Sequence, residues 1–319
     1  MSFRRFFRIL TRWTFLALIV VALVFGGKFV YNAFFSYTHD NSLDNVSDEE
    51  LSVNVKPKSG ITNIALFGVD TREGEPVRSD CMMVMSVNSD TGEIKLISLM
   101  RDSKVEIDGH GTQKLCHAYS FGGAKLAIKT INQTFKLNIT DYAEVNFQQM
   151  AGLIEQIGGV DIDVSDAERK EANKYIKEYY ESYGLEPILI EQTGYQHLNG
   201  VQAMTYARIR KGGTGDDWGR VERQAVVLNA MFETVKNKSL PELVKIVPNL
   251  MPYVTTSLSK TEIISLAKGV LMHGVPQIEH YRVPEDGKWN YGGKNDEYIV
   301  YDLDKAADTI DKYIYGLDN

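Results

Sequence analysis

The sequence predicts an α/β layered fold preceded by one N-terminal membrane-spanning helix. Three observations predict it. Short apolar runs alternate with longer segments of helical periodicity, as strands covered by helices do. A basic start leads into an uncharged apolar run from Trp13 to Gly27. The 319 residues, 44% hydrophobic and 24% charged, supply a substantial core. That composition excludes a wholly disordered chain, a collagen-like repeat and a polytopic membrane protein.

The N-terminus sets the orientation. Arg4, Arg5, Arg8 and Arg12 precede the apolar run with no acid among them. A spanning helix needs about 20 residues; Lys28 can snorkel and extend the span to Phe35. Trp13, Tyr31, Phe34 and Phe35 place aromatics at both ends. A cleaved signal peptide would share the basic start, but no small-x-small site follows and Tyr31 to Tyr37 is bulky. Residues 1–12 are therefore read as a cytoplasmic tail, 13–35 as a retained anchor, 36–59 as a polar stalk with little packing, and 60–319 as one domain outside the membrane. The net charge is -7, and residues 1–28 carry +5, so the exported part carries -12. Such a domain is not a general nucleic-acid binder. Two cysteines are too few for a disulfide scaffold or a four-thiolate zinc site.

Within the domain, Ile64–Val69 reads as a buried strand ending at Asp70. Met82–Val87 and Ile94–Leu99 read as a hairpin around the turn Ser89-Asp90-Thr91-Gly92. Centring the hairpin between Asp90 and Thr91 makes opposed residues sum to about 181 and brings Asp80 opposite Arg101. Helices are expected over Ala124–Phe135 and Phe147–Ile157, the latter closed by Gly158-Gly159. Val160–Val164 alternates as a half-buried strand, and Asp166–Tyr183 reads as a charged surface helix. A short helix is expected at Val201–Tyr206. Arg208-Ile209-Arg210 is a strand end or extended loop, and Asp217 N-caps a helix from Trp218 to Val235. Helices at Thr261–Met272 and Asp304–Tyr315 complete the chain. The apolar helices after Gly123 and from Phe147 are the expected walls of a ligand pocket.

Two clusters stand out. Asp70, Arg72, Arg78, Asp80, Arg101 and Asp102 gather at one sheet edge. Arg208, Arg210, Asp216, Asp217, Arg220, Arg223 and Gln224 gather at a helix start. On that helix Arg220 and Gln224 share a face beside the apolar stripe Val221, Ala225, Leu228 and Phe232. Arginines converging at a helix N-terminus suit phosphate. Two aspartates without His or Cys suit Mg²⁺, which leans on substrate phosphate. The same residues also suit a plain surface salt-bridge network. There is no Gly-x-Ser-x-Gly, no P-loop and no His-Glu-x-x-His. His117, near the first cluster, reads as structural.

These residues resemble a family. Asn63 to Arg72, Arg78-Ser79-Asp80-Cys81-Met82-Met83, Ser98-Leu99-Met100-Arg101-Asp102 and Lys114 to Gly123 resemble the LytR–CpsA–Psr domain. So do Ile157 to Asp161, Leu198-Asn199-Gly200 with Gln202-Ala203, and Tyr206 through Gln224, in the same order; the motif core is residues 61–235. The resemblance implies a three-layer α/β/α sandwich around a mixed central sheet. It implies an extracytoplasmic phosphotransferase of Gram-positive-type walls, moving a glycopolymer (teichoic acid, capsule or similar) from undecaprenyl pyrophosphate to peptidoglycan. Asp70 and Asp80 would hold Mg²⁺, with Mn²⁺ an alternative. Arg78, Arg101, Arg208, Arg210, Arg220 and Gln224 would bind phosphate. Asp80, Arg101 and Asp102 would be catalytic, with Asp102 and Asp80 the carboxylates to test as general base. The alternative function is a lipid-pyrophosphate pyrophosphatase or a non-catalytic polyprenyl-phosphate binder.

The chain departs from the family pattern at three places. Met100 stands where Pro often precedes the Arg–Asp pair, Cys81 replaces a usual Thr, and Cys116 a usual Asn. The two cysteines form either a disulfide or two small buried packing residues.

Overall fold

The structure, a computed structural model, describes residues 37–316 except 54, 56–58, 71–76, 274–277 and 296. The tail expected at residues 1–12, the anchor at 13–35 and Arg72 lie outside the described residues. Among the described residues, no helix is long and apolar enough to cross a membrane.

In chain order, β1 (Thr38–His39) is followed by β2 (Ile61–Asp70), β3 (Arg78–Asn88) and β4 (Ile94–Leu99). A small ribbon, β5 (Lys104–Ile107) and β6 (Gly111–Lys114), leads into α1 (Leu115–Phe135). Then come β7 (Asp141–Asn146), α2 (Phe147–Ile157), β8 (Val160–Val164), α3 (Asp166–Ser182), β9 (Gly194–Leu198) and α4 (Gly200–Tyr206). The last third holds α5 (Asp216–Lys236), α6 (Leu240–Leu250), β10 (Thr255–Thr256), α7 (Lys260–Met272), β11 (Glu279–Val283), β12 (Asn290–Gly292), β13 (Tyr298–Val300) and α8 (Leu303–Tyr315).

The central sheet is mixed, with order β1-β10-β7-β2-β3-β4-β11. β2, β3 and β4 are antiparallel, whereas β7 joins β2 and β11 joins β4 in parallel. The hairpin register is as expected: Met83 faces Ser98 and Val84 faces Ile97. One face of the sheet, carrying Ala65, Phe67, Val84, Ile97 and Leu99, is sealed by α1 and α8 through Ile128, Ile131, Phe135, Ile310 and Ile314. The opposite face, carrying Leu66, Met83, Met85 and Leu96, meets Leu228 and Phe232 of α5 and Val270 of α7. Helices on both faces make the expected sandwich.

α1 is two helices joined at a kink. Gly122 and Gly123 break the helical backbone, Gly123 at φ +62°. The half from Ala124 is the expected helix; the half over the motif Leu115–Phe121 is additional. α2 is bounded by a reciprocal cap, the Asn146 side chain accepting from the Gln149 N–H at 2.8 Å, and by left-handed Gly158. β8 lies outside the central sheet and pairs with β9 in a separate ribbon.

The segment expected as a stalk is packed from 37 to 53. Thr38 and His39 pair with β10, Leu43 and Leu51 are buried against the α1 core, and the Leu51 carbonyl accepts from Asn132. The reason is that Leu43, Val46, Leu51 and Val53 form a spaced apolar set inside the polar stretch. The domain therefore begins well before residue 60.

Candidate active site

The site lies where β2 and β3 end against the start of α5. Gly68 faces Cys81 and Val69 faces Ser79, so Asp80 has no partner on β2 and forms a bulge. A bulge re-aims the side chains around it. Asp80 and Cys81, consecutive in sequence, both line one small polar cavity of 140 Å³. Asp70, Arg208, Arg210, Arg220 and Gln224 line the same cavity, as does Tyr175 of α3.

Arg101 stands behind this wall. Its Nη1 donates to Asp80 Oδ1, and its Nη2 donates to Asp217 Oδ2 at 3.0 Å. Arg210 Nε reaches Asp217 Oδ1 at 3.0 Å, with Nη2 3.9 Å from Asp80 Oδ1. Arg220 Nη2 lies 3.5 Å from Asp217 Oδ1. Asp102 lies 3.6 Å from Arg101 Nε and accepts from Lys114 at 3.0 Å. Burial alone would weaken the Arg101 cation, but Asp102, Asp80 and Asp217 hold its pKa above the usual range. Arg101 is therefore permanently charged.

The arginines have capacity left over. The Arg220 side chain is 4% exposed, yet its buried Nε and Nη2 have no hydrogen-bond partner, nor does Arg210 Nη2. Buried guanidinium donors without acceptors are costly. An anion with several oxygens would satisfy them. Arg208 is held differently, its guanidinium 4.2 Å over the Phe147 ring and 5.6 Å from Tyr175.

Asp217 was expected to cap α5. The cap is instead Gly215, at φ +87°, and Asp217 falls in the first turn. Its role as hub for three arginines, and that of Lys114 as partner of Asp102, are what the sequence reading missed. Both residues sat inside the quoted motifs, but spacing alone did not show their contacts. Arg223 turns inward, donating to the Ile209 and Thr214 carbonyls at 2.7 and 2.8 Å, and so pins the loop that carries Arg208 and Arg210. Arg78 stands opposite Asp70 at the strand ends, outside the cavity lining.

A second cavity, of 280 Å³, opens from the first. Gly68, Cys81, Phe147, Arg208 and Gln224 line both. Apart from Glu144 and Asn146, the rest of its wall is apolar and includes Met83, Met85, Met150, Met204 and Met231. Unbranched methionines adapt to an irregular chain. It lies between the sheet and α2, α4 and α5. The helix after Gly123, expected as a wall, packs on the other face of the sheet; α2 is the expected wall that is found. Leu228 and Phe232, expected to be buried, are only partly so because they face this cavity, whereas Val221 and Ala225 are buried.

Both cysteines are free thiols. Burial, then Asp80, pushes Cys81 up to about 12; burial, then Asp102, pushes Cys116 up to about 11. Neither is a ready nucleophile. His117 Nδ1 donates to Gln113 Oε1 at 3.2 Å, and burial with Lys114 and Arg78 lowers its pKa. Among the described residues, no group of three or more His, Cys, Asp or Glu side chains is placed to hold a metal. Asp70 and Asp80 on one cavity wall make a two-carboxylate set, the kind Mg²⁺ completes with water and phosphate.

The family model for the LytR_cpsA_psr family matches residues 28–313. A protein of Oceanobacillus iheyensis named polyisoprenyl-teichoic acid–peptidoglycan teichoic acid transferase TagU is 31% identical over 273 residues, covering 80% of each chain. The crystal structure of B. subtilis TagV matches at TM-score 0.63 and 26% identity, covering 81% of this chain and 98% of that one. The LytR-CPS2A-psr family protein YwtF (TagT) with bound octaprenyl pyrophosphate lipid matches at TM-score 0.59 and 20% identity, covering 88% and 99%, a likeness of fold. With the sandwich, the ordered motifs and a model match over nearly the whole chain in agreement, this chain belongs to the LytR_cpsA_psr family.

Proposed function

We propose that this protein transfers a glycopolymer from a polyprenyl pyrophosphate carrier to peptidoglycan. One observation carries the reading: an apolar cavity shares five of its wall residues with a pocket walled by arginines with unfilled donors. A lipid tail fits the first and a pyrophosphate the second. The relative from O. iheyensis is named for this transfer, with teichoic acid as the polymer.

In this reading Arg208, Arg210, Arg220 and Gln224 bind the pyrophosphate, and Arg78 guards the strand-end approach. An acceptor hydroxyl attacks the phosphorus that carries the glycan. The bond from that phosphorus to the bridging oxygen breaks, and polyprenyl phosphate leaves into the apolar cavity. Arg101 is placed to offset the charge that develops, where positioning and electrostatics supply most of the rate. Asp80 and Asp102 hold Arg101 from two sides, and the hydroxyl proton passes to a carboxylate of this cluster. Asp70 and Asp80 are the ligands for Mg²⁺ or Mn²⁺, which supplies charge neutralisation at phosphate oxygens when bound. The site works outside the membrane, held there by an anchor over residues 13–35.

The test is transfer from a synthetic lipid-linked saccharide pyrophosphate to peptidoglycan, comparing the protein with Arg101→Ala. Saccharide joined to peptidoglycan, lost in the variant, is the expected result. Saccharide phosphate released to water with none joined would establish the pyrophosphatase instead.

A further inference from the structure

Close to Arg101, and outside the lining of the apolar cavity, lies a group of aromatic rings with no part in the scheme above. Trp218 follows Asp217 directly in sequence, in the first turn of α5. Its ring stacks on Trp289 at 4.4 Å, and the Arg282 guanidinium lies 4.6 Å from its centroid. Tyr291 stands nearly perpendicular to Trp289, at 79° and 4.9 Å, and is 56% exposed. The two rings meet nearly at a right angle, with Trp289 part-exposed and Tyr291 exposed at the surface.

The corner is tied to the reacting segment twice. Trp218 and Trp289 pack against the buried cluster of Met100, Val221 and Ile299, and Met100 is the residue before Arg101. Tyr291 rides on the ribbon of β12 and β13, and the Ile299 N–H of that ribbon donates to the Asp102 carbonyl at 2.9 Å. The ribbon also bridges to Ser103. Its position is therefore tied to the backbone of Asp102 and Ser103, directly after Arg101.

We propose that Trp289 and Tyr291 form a saccharide subsite, seating a pyranose ring next to Arg101. The proposal rests on the transfer reading and locates its sugar side. A lipid cavity on one side of the phosphate site requires the sugars on the other, because the attacking hydroxyl approaches opposite the leaving lipid phosphate. The C–H face of a pyranose packs on the electron-rich face of an aromatic ring. A corner of two rings offers that face together with a wall that fixes orientation. The Arg282 cation, anchored by Glu222 at 2.7 Å and by Asp286, keeps the base ring Trp218 in place. The acceptor glycan and the first sugar of the donor share this chemistry.

The experiment uses the full chain in detergent micelles. Calorimetric titration with an N-acetylglucosamine–N-acetylmuramic acid tetrasaccharide is expected to give binding that Trp289→Ala and Tyr291→Ala each weaken about tenfold. Trp289→Phe should retain most of it. Tyr291→Ala alters an exposed side chain and spares the fold, which melting curves check. A second arm compares octaprenyl pyrophosphate with and without one attached sugar. A Trp289-dependent gain from the attached sugar alone would assign the ring to the donor. If neither the tetrasaccharide nor the attached sugar depends on Trp289 and Tyr291, the subsite is refuted. Failure of bare octaprenyl pyrophosphate to bind would instead count against the transfer reading, while the tetrasaccharide arm still decides the subsite.

Discussion

Asp217 holds Arg101 with one carboxylate oxygen and Arg210 with the other, at 3.0 Å each. One side chain therefore sets the spacing of two guanidinium groups that come from opposite ends of the motif. Its place in the first turn of α5 adds a favourable interaction with the helix dipole. Asp217→Ala is expected to lower the transfer rate about 100-fold, the scale for losing one preorganised electrostatic contact. Asp217→Asn should keep part of it. Melting curves of both variants close to the parent, beside single-turnover rates, make the check; an undiminished rate in Asp217→Ala would remove Asp217 from the site.

The two-carboxylate set predicts a conditional metal site. EDTA should abolish transfer and Mg²⁺ or Mn²⁺ should restore it. The protein alone should bind Mg²⁺ weakly, and better once octaprenyl pyrophosphate is present. Asp70→Asn and Asp80→Asn should each raise the Mg²⁺ concentration for half-maximal rate. Transfer that continues unchanged in EDTA would return these aspartates to an ion-pair role.

Arg223 supports the loop rather than the phosphate. Its two fork nitrogens serve the Ile209 and Thr214 carbonyls, with Glu168 3.5 Å away. Arg223→Ala should cost roughly 2–4 kcal/mol, as loss of buried charged hydrogen bonds does. Arg223→Lys keeps the charge but not the fork, so it should destabilise less and leave the Mg²⁺ requirement unchanged. Denaturant unfolding and metal titration separate the two effects.

Gly68 lines both cavities. A Cβ there would sit 2.7 Å from Cys81 Cβ. Gly68→Ala is expected to destabilise by about 1–3 kcal/mol through overpacking and to weaken octaprenyl pyrophosphate binding. Adding Cys81→Gly should recover part of both, since it removes the clashing atom. A double variant no better than Gly68→Ala would exclude this contact as the cause.

His280 gives a pH signature. Burial holds its pKa below the ordinary 6.5, with Arg282 also lowering it and Glu222 opposing, and its Nε2 lies 2.9 Å from Ser98 Oγ. The unfolded chain takes up this proton first. The stability that neutral His280 confers is thus complete above about pH 6.5 and lost as pH falls towards its folded value. Relative to the parent, His280→Gln should show a smaller fall in melting temperature between about pH 7 and pH 5. Parallel curves would exclude His280 as the source.

Local signals were legible in the residues and long-range ones were not. The turn at Asp90 and Thr91 set the β3–β4 register, and with it the meeting of Asp80 and Arg101, because a tight hairpin leaves no freedom in pairing. Asn146 and Gly158 bounded α2 for the same local reason. β7 and β11 went unread: both are short, mixed in polarity and joined in parallel through long connections, so no turn announces their partners. The face question was also hidden. Ile64 to Val69 is apolar on both sides, and nothing in such a run says which helix takes which face or where a gap stays open. Asp217 looked like a cap because aspartate favours that position; the left-handed Gly215 moved the helix start back by two residues.

The bulge at Asp80 adds a residue to β3 without changing the pairing on either side of it. In a regular pleat, neighbours point to opposite sides; here Asp80 and Cys81 both reach the polar cavity. Replacing Asp80 removes one carboxylate and leaves the frame intact. Deleting it would close the bulge while Gly68 stays opposite Cys81 and Val69 opposite Ser79, so Arg78 and the fully buried Ser79 keep their sides of the sheet. A related chain that kept every other motif residue but was one position shorter between Ser79 and Cys81 would thus have the same strand frame without the carboxylate that receives Arg101.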